Sequence, residues 1–207
     1  MRIITRTLAA AVLVVATTSC GNAVRTGSAP VFLVMDRLTG SRGAPTPGTA
    51  SDFLVSDVLT KVTTGGDCTS AKPCLTVFDD TGSVTLRLAP KDIGTTASPT
   101  IPTSNNEVTI TRIHVSYRRT DGRNTQGVDV PFAFDTFATG TVPATGTASF
   151  GFELVRIQAK RDSPLRQLVD TAQFIATICD VTVYGTDRTG NNISATGSIQ
   201  VEFGDFD

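Results

Sequence analysis

The 207-residue chain carries 18 Lys and Arg against 19 Asp and Glu, a formal net charge of −1, so it lacks the basic footprint that nucleic acid requires. With 40% apolar and 18% charged residues it has the balance of an ordered globular chain, and its length suits one domain or at most two. Asp outnumbers Glu 16 to 3, Arg outnumbers Lys 14 to 4, Thr is abundant and Trp is absent. Helix-favouring Glu, Lys and Leu are scarce while Thr and Val suit pleated surfaces, so the expected class is all-β.

The N-terminal run Met1-Arg2-Ile3-Ile4-Thr5-Arg6 bears two positive charges, Leu8 to Ala16 is a nine-residue apolar stretch, and small or polar residues follow as far as Cys20. This is the layout of a secretory signal, and the stretch falls well short of the roughly 20 residues that span a bilayer. The segment Thr17-Thr18-Ser19-Cys20-Gly21-Asn22 resembles the lipobox of bacterial lipoproteins, with Thr17 standing where that motif usually has Leu. The resemblance implies a signal peptide over 1–19, a lipidated Cys20 as mature N-terminus, a tether through residue 29 and a domain over 30–207. Loss of Arg2 and Arg6 would leave 16 basic against 19 acidic residues, a net charge of −3. Cys20 is not followed by the Asp that resembles an inner-membrane retention signal. The implied position is therefore the outer membrane, facing the periplasm or the surface, with the bilayer as a partner through the lipid anchor.

Nine strand-like runs follow, at about 31–37, 53–60, 75–79, 83–90, 107–118, 128–134, 148–158, 174–184 and 194–203, separated by Thr/Pro/Gly/Ser-rich stretches. Cys68 and Cys74 lie six residues apart within Gly65 to Cys74, and in an exported chain such a pair is expected to close as a local disulfide. It is neither a Cys-x-x-Cys redox motif nor a zinc pattern. In 107–118 the apolar parity shifts from Val108 and Ile110 to Ile113, Val115 and Tyr117, which predicts a β-bulge near Thr111-Arg112. Ser163-Pro164-Leu165-Arg166-Gln167-Leu168-Val169 is the one expected helix, with Ser163 as N-cap and Pro164 in the first turn.

Val181 and Val183 lead through Gly185-Thr186-Asp187-Arg188-Thr189-Gly190-Asn191-Asn192 into Ile199, Val201 and Phe203, which alternate with Ser198, Gln200 and Glu202. This hairpin resembles the last hairpin of bacterial immunoglobulin-like domains. The resemblance implies a single antiparallel sandwich of seven to nine strands, immunoglobulin-like or fibronectin type III-like, over about residues 30–204. Phe132, Phe134, Phe150, Phe152 and Phe203 would fill its core, and 40–82 would be an insertion between its first two core strands. The chain has neither the Trp nor the paired cysteines of antibody domains.

Chemistry-bearing motifs are sparse. His114, the sole histidine, sits inside a strand between Ile113 and Val115, and no nucleophile elbow, His-Glu-x-x-His, phosphate loop or dinucleotide fingerprint occurs. Cys179 alternates with Val181 and Val183 and is expected to be a buried thiol. Asp79-Asp80-Thr81-Gly82 and Asp187 to Asn192 could offer oxygens to calcium but match turn chemistry better. Arg118, Arg119 and Arg123 form a basic cluster beside Tyr117, expected to be a solvated strand end. No catalytic residue, metal site or cofactor is assigned. The expectation is a non-enzymatic envelope protein with a protein partner, the alternative being a carbohydrate-binding or calcium-dependent adhesion module.

Overall fold

The computed structural model describes residues 29–46 and 48–206. The segment 1–19 expected to be a signal peptide, Cys20 and most of the expected tether lie outside the described residues.

The chain is all-β, as its composition implies. A three-stranded antiparallel sheet has the order β1 (Val31–Ser41), β5 (Asp80–Pro90), β11 (Thr147–Val155). A larger sheet runs β10 (Gly140–Val142), β8 (Val108–Arg118), β12 (Phe174–Asp187), β13 (Asn192–Gly204), β2 (Phe53–Asp57), and β9 (Phe134–Thr136) pairs further along the β8 edge that β10 occupies. Two small hairpins, β3 (Thr60–Val62) with β4 (Cys74–Thr76) and β6 (Gly94–Thr95) with β7 (Ser98–Pro99), project from the loops.

The period-2 patterns decide which faces meet. In β5, Val84, Leu86 and Leu88 point inward and are buried; in β12 it is Cys179, Val181 and Val183, and in β13 Ile199, Val201 and Phe203. These side chains join Ile113, Val115, Phe150 and Phe152 in one continuous apolar core between the sheets. The sheets approach so closely that a Cβ placed on Gly197 of β13 would stand 2.3 Å from Met35 Sδ of β1. Tyr117 spans the core: its ring meets Phe203 edge-on at 5.7 Å, and its hydroxyl donates to the carbonyl of Leu154 in the opposite sheet. Leu154 is the extra residue where the β11 register against β5 slips between Glu153 and Val155.

The parity shift in β8 is a bulge at the expected place. Tyr184 of β12 pairs with Arg112 and Gly185 with Ile110, leaving Thr111 as the additional residue. The sequence reading needs four corrections. The run 128–134 is not a strand: Val130 is buried in a loop, only Phe134–Thr136 pair with β8, and Phe132 is 60% exposed and outside the core. The run ending at 158 stops at Val155, and the chain turns at once into a five-residue helix, α1 (Ile157–Arg161). Ser163-Pro164 opens only a 3-10 turn over Leu165–Leu168, in which Pro164 takes the cap position and Leu165 and Leu168 reach the core. Finally, 40–82 is more than an insertion, because it delivers β2 to the edge of the larger sheet in parallel register with β13.

Candidate functional site

Cys68 and Cys74 form a disulfide, with Cα atoms 5.2 Å apart, that closes the loop of the β3–β4 hairpin. Cys179 is a free, fully buried thiol whose pKa burial drives far above its ordinary value, so it sits in the core as an inert side chain.

The outer face of the larger sheet carries the polar side chains of β8, β12 and β13. His114 Nδ1 lies 2.9 Å from Asp135 Oδ1, and Arg112 reaches the same carboxylate at 3.3 Å. The His114 hydrogen bond, helped by the Arg112 charge, holds the Asp135 carboxyl below its usual range. The Arg112 guanidinium also stacks over the Tyr184 ring at 4.1 Å, beside an open depression of about 410 Å³ at the β8 bulge. His114 pairs across the strands with Thr182, whose hydroxyl bonds to Thr196 at 2.9 Å, whereas Cys179 points to the other side of the sheet. The histidine therefore has a carboxylate partner on a polar surface, and the thiol lies beyond its reach.

Each arginine of the basic cluster has a carboxylate partner, two of them sharing one. Arg118 pairs with Asp180 at 2.6 Å, while Arg119 and Arg123 grip Asp121 at 2.6 and 2.8 Å, holding its carboxyl far below the usual range. The calcium candidates are likewise occupied. Asp187 accepts hydrogen bonds from Thr189 N–H and hydroxyl and from Asn191 N–H and side-chain amide, tying up both oxygens within its own turn.

Asp80, weighed above as a turn residue and as an oxygen donor for calcium, holds the most deeply buried ion pair among the described residues. Its side chain is fully buried and its Oδ2 lies 2.9 Å from Nζ of Lys160 in α1, which is equally buried. Ser56 hydroxyl donates to Oδ2 at 2.5 Å and Gly43 N–H donates to Oδ1 at 2.8 Å. Beside them Asp57, also buried, accepts from Arg42 at 2.5 Å, Thr60 hydroxyl at 3.0 Å and Phe206 N–H at 3.2 Å. Burial pushes the Lys160 amine below its ordinary pKa, against the opposing pull of Asp80 and Asp57. A cavity of about 320 Å³, bordered by Val58, Val77 and Arg166, opens beside Lys160. Sequence reasoning passed over this cluster because Arg42, Asp57, Asp80 and Lys160 come from four distant segments. No local pattern marks Lys160, which stands in a short helix five residues past the end of β11.

Among the described residues no helix is long and apolar enough to cross a membrane, and no group of three or more His, Cys, Asp or Glu side chains is arranged to hold a metal. Comparison with protein-family models, curated proteins and solved structures finds no match for this chain.

Proposed function

We propose that this chain is a non-enzymatic envelope protein, anchored to a membrane through lipidated Cys20, whose immunoglobulin-like sandwich serves as a structural or protein-interaction module. The observation that carries the reading is the pairing of an export address with an oxidised cysteine pair: a lipobox-like Thr17 to Asn22 upstream, and Cys68–Cys74 closed in the domain. The strand order supports the immunoglobulin-like assignment. The order β1-β5-β11 matches A-B-E of that fold, β8-β12-β13 matches C-F-G, and the chain passes between the sheets as a Greek key requires. The adhesion alternative finds less support, since Asp80 and Asp187 spend their oxygens on protein donors and the exposed Phe32, Phe53, Phe132, Phe137 and Phe174 lie on separate elements.

The test is expression of the full-length gene in a bacterial host, with the intact mass of the membrane-extracted protein measured beside a Cys20→Ala variant. The reading expects a mature chain beginning at Cys20 with added acyl groups and release of the variant from the membrane fraction, since each buried methylene of an acyl chain adds about 0.8 kcal/mol to membrane binding. An unlipidated, soluble exported wild type overturns the anchor.

A further inference from the structure

We propose that Lys160 and Asp80 become joined by an intramolecular amide bond, with Lys160 Nζ condensing on the Asp80 side-chain carboxyl.

The geometry supplies each part that the condensation needs. The amine and the carboxyl already touch at 2.9 Å, both fully buried, and each is held by a regular element: Asp80 opens β5, and Lys160 sits on α1, five residues after the Val155 that pairs with Asp80. Fixing two reactants at contact converts a bimolecular reaction, very unfavourable in dilute water, into one with a large effective concentration. Burial disfavours the charged form of the Lys160 amine, and passage of the hydrogen-bonded proton from Nζ to Oδ2 within the pair gives the amine and the acid that react. In the step, the Nζ lone pair attacks Asp80 Cγ and the C–N bond forms as the carbonyl π pair moves onto Oδ1. Gly43 N–H already donates to that oxygen and faces the charge that develops there. Ser56 hydroxyl bonds to Oδ2 and supports its departure; a proton lost from Nζ completes the leaving water. The balance is one carboxylic acid and one amine giving one amide and one water, with no oxidant or cofactor. The cavity beside Lys160 gives the water a way out. Two buried charges, each costly to desolvate, are thereby replaced by one neutral amide. Asp57 does not compete for the amine in this arrangement, since Arg42, Thr60 hydroxyl and Phe206 N–H already occupy its oxygens.

The experiment is peptide mapping of the folded full-length chain, which is independent of how the N-terminus is processed. Trypsin cuts after Lys61, Arg87, Arg156 and Arg161 and spares the Lys72-Pro73 bond, so an amide at Lys160 yields residues 62–87 joined to 157–161, one water lighter than the two peptides together. For chain isolated unfolded, before the bond has formed, a time course after removal of denaturant follows the loss of water in the intact mass. Ser56→Ala, which removes the donor to the departing oxygen, is expected to slow it on the order of 100-fold, the lower end of what a positioned proton donor contributes. Lys160→Arg keeps the charge and cannot form the bond, so it must lack the joined peptide. Native wild type whose mass retains the water, and which releases 157–160 as a free peptide, overturns the proposal and leaves a buried ion pair. Because that reading is taken on wild type, a variant that fails to fold does not obscure it.

Discussion

Replacing Gly82 by alanine tests the packing of the smaller sheet at its tightest point. Gly82 of β5 stands directly opposite Phe152 of β11, and a Cβ at position 82 would lie 2.5 Å from Phe152 Cζ, 2.8 Å from Cε2 and 2.9 Å from Cε1. Glycine here has no left-handed backbone to excuse it, so propensity alone expects Gly82→Ala to stabilise the strand by about 0.5–1 kcal/mol. The ring is nearly buried against the core and cannot swing freely outward, and forcing a methyl group into such a contact typically costs about 1–3 kcal/mol. The net expectation is a loss of about 1–2 kcal/mol. Urea unfolding of the Cys20→Ala chain should show the midpoint falling by roughly half to one molar at an unchanged slope, given slopes of about 1–3 kcal/mol per molar. Phe152→Ala on its own removes core bulk and should cost about 3–5 kcal/mol. In that background the alanine at 82 meets no ring and regains its strand preference, so the two changes should couple by about 1–3 kcal/mol. A midpoint that rises in Gly82→Ala, or strict additivity in the double variant, would refute the placement of the ring over the glycine.

Two further outcomes follow from polar groups. Tyr117→Phe leaves the Leu154 carbonyl without its donor inside the core and should destabilise by about 1–3 kcal/mol in urea or thermal unfolding, with the edge-on contact to Phe203 retained. In Asp187, burial raises the carboxyl pKa, but the hydrogen bonds from Asn191 and Thr189 outweigh it and the net shift is downward. A carboxyl depressed in the folded state contributes stability above its unfolded value of about 3.9, and that contribution fades as pH falls through the lower folded value. The stability gap between wild type and Asp187→Ala, expected at about 1–3 kcal/mol near neutral pH, should therefore narrow steadily below about pH 4. A gap independent of pH would show that the ionised carboxylate is not what holds the turn.

What could be read from the sequence divides along the range of the interactions. Alternation of Val84, Leu86 and Leu88, or of Ile199, Val201 and Phe203, is a local pattern, and the structure buries the very faces it marks. The broken parity around Thr111 was enough to locate the bulge, because one extra residue is the only way to keep both Ile110 and Ile113 inside. Cys68 and Cys74 were legible as a pair from their proximity in a chain expected to be exported. Phe132 misled because Val128, Val130 and Phe132 alternate like a strand while the Gly127 and Pro131 beside them favour a loop; Val130 is buried there without a ladder. The parallel docking of β2 on β13 joins residues nearly 150 positions apart and leaves no trace in local periodicity.

The buried charges explain why β2 lies where it does. It meets the larger sheet through only five parallel pairs, the less stable kind of ladder, and contributes a single deeply buried aliphatic, Leu54. Its last two residues, Ser56 and Asp57, are also buried, and what they bury against is polar: Asp80 for the serine, and Arg42, Thr60 and the Phe206 N–H for the aspartate. Apolar packing alone would fix its register along β13 only weakly, since Leu54 is the one aliphatic it buries deeply. Hydrogen bonds between buried groups fix it firmly, because each one displaced leaves an unsatisfied donor or charge in the interior. The same geometry that fixes the register also holds the Asp80 carboxyl between Ser56, Gly43 and Lys160. The segment that crosses between the sheets thus ends on a device of specificity, and the amide proposed for Lys160 would make permanent a contact that the hydrogen bonds already select.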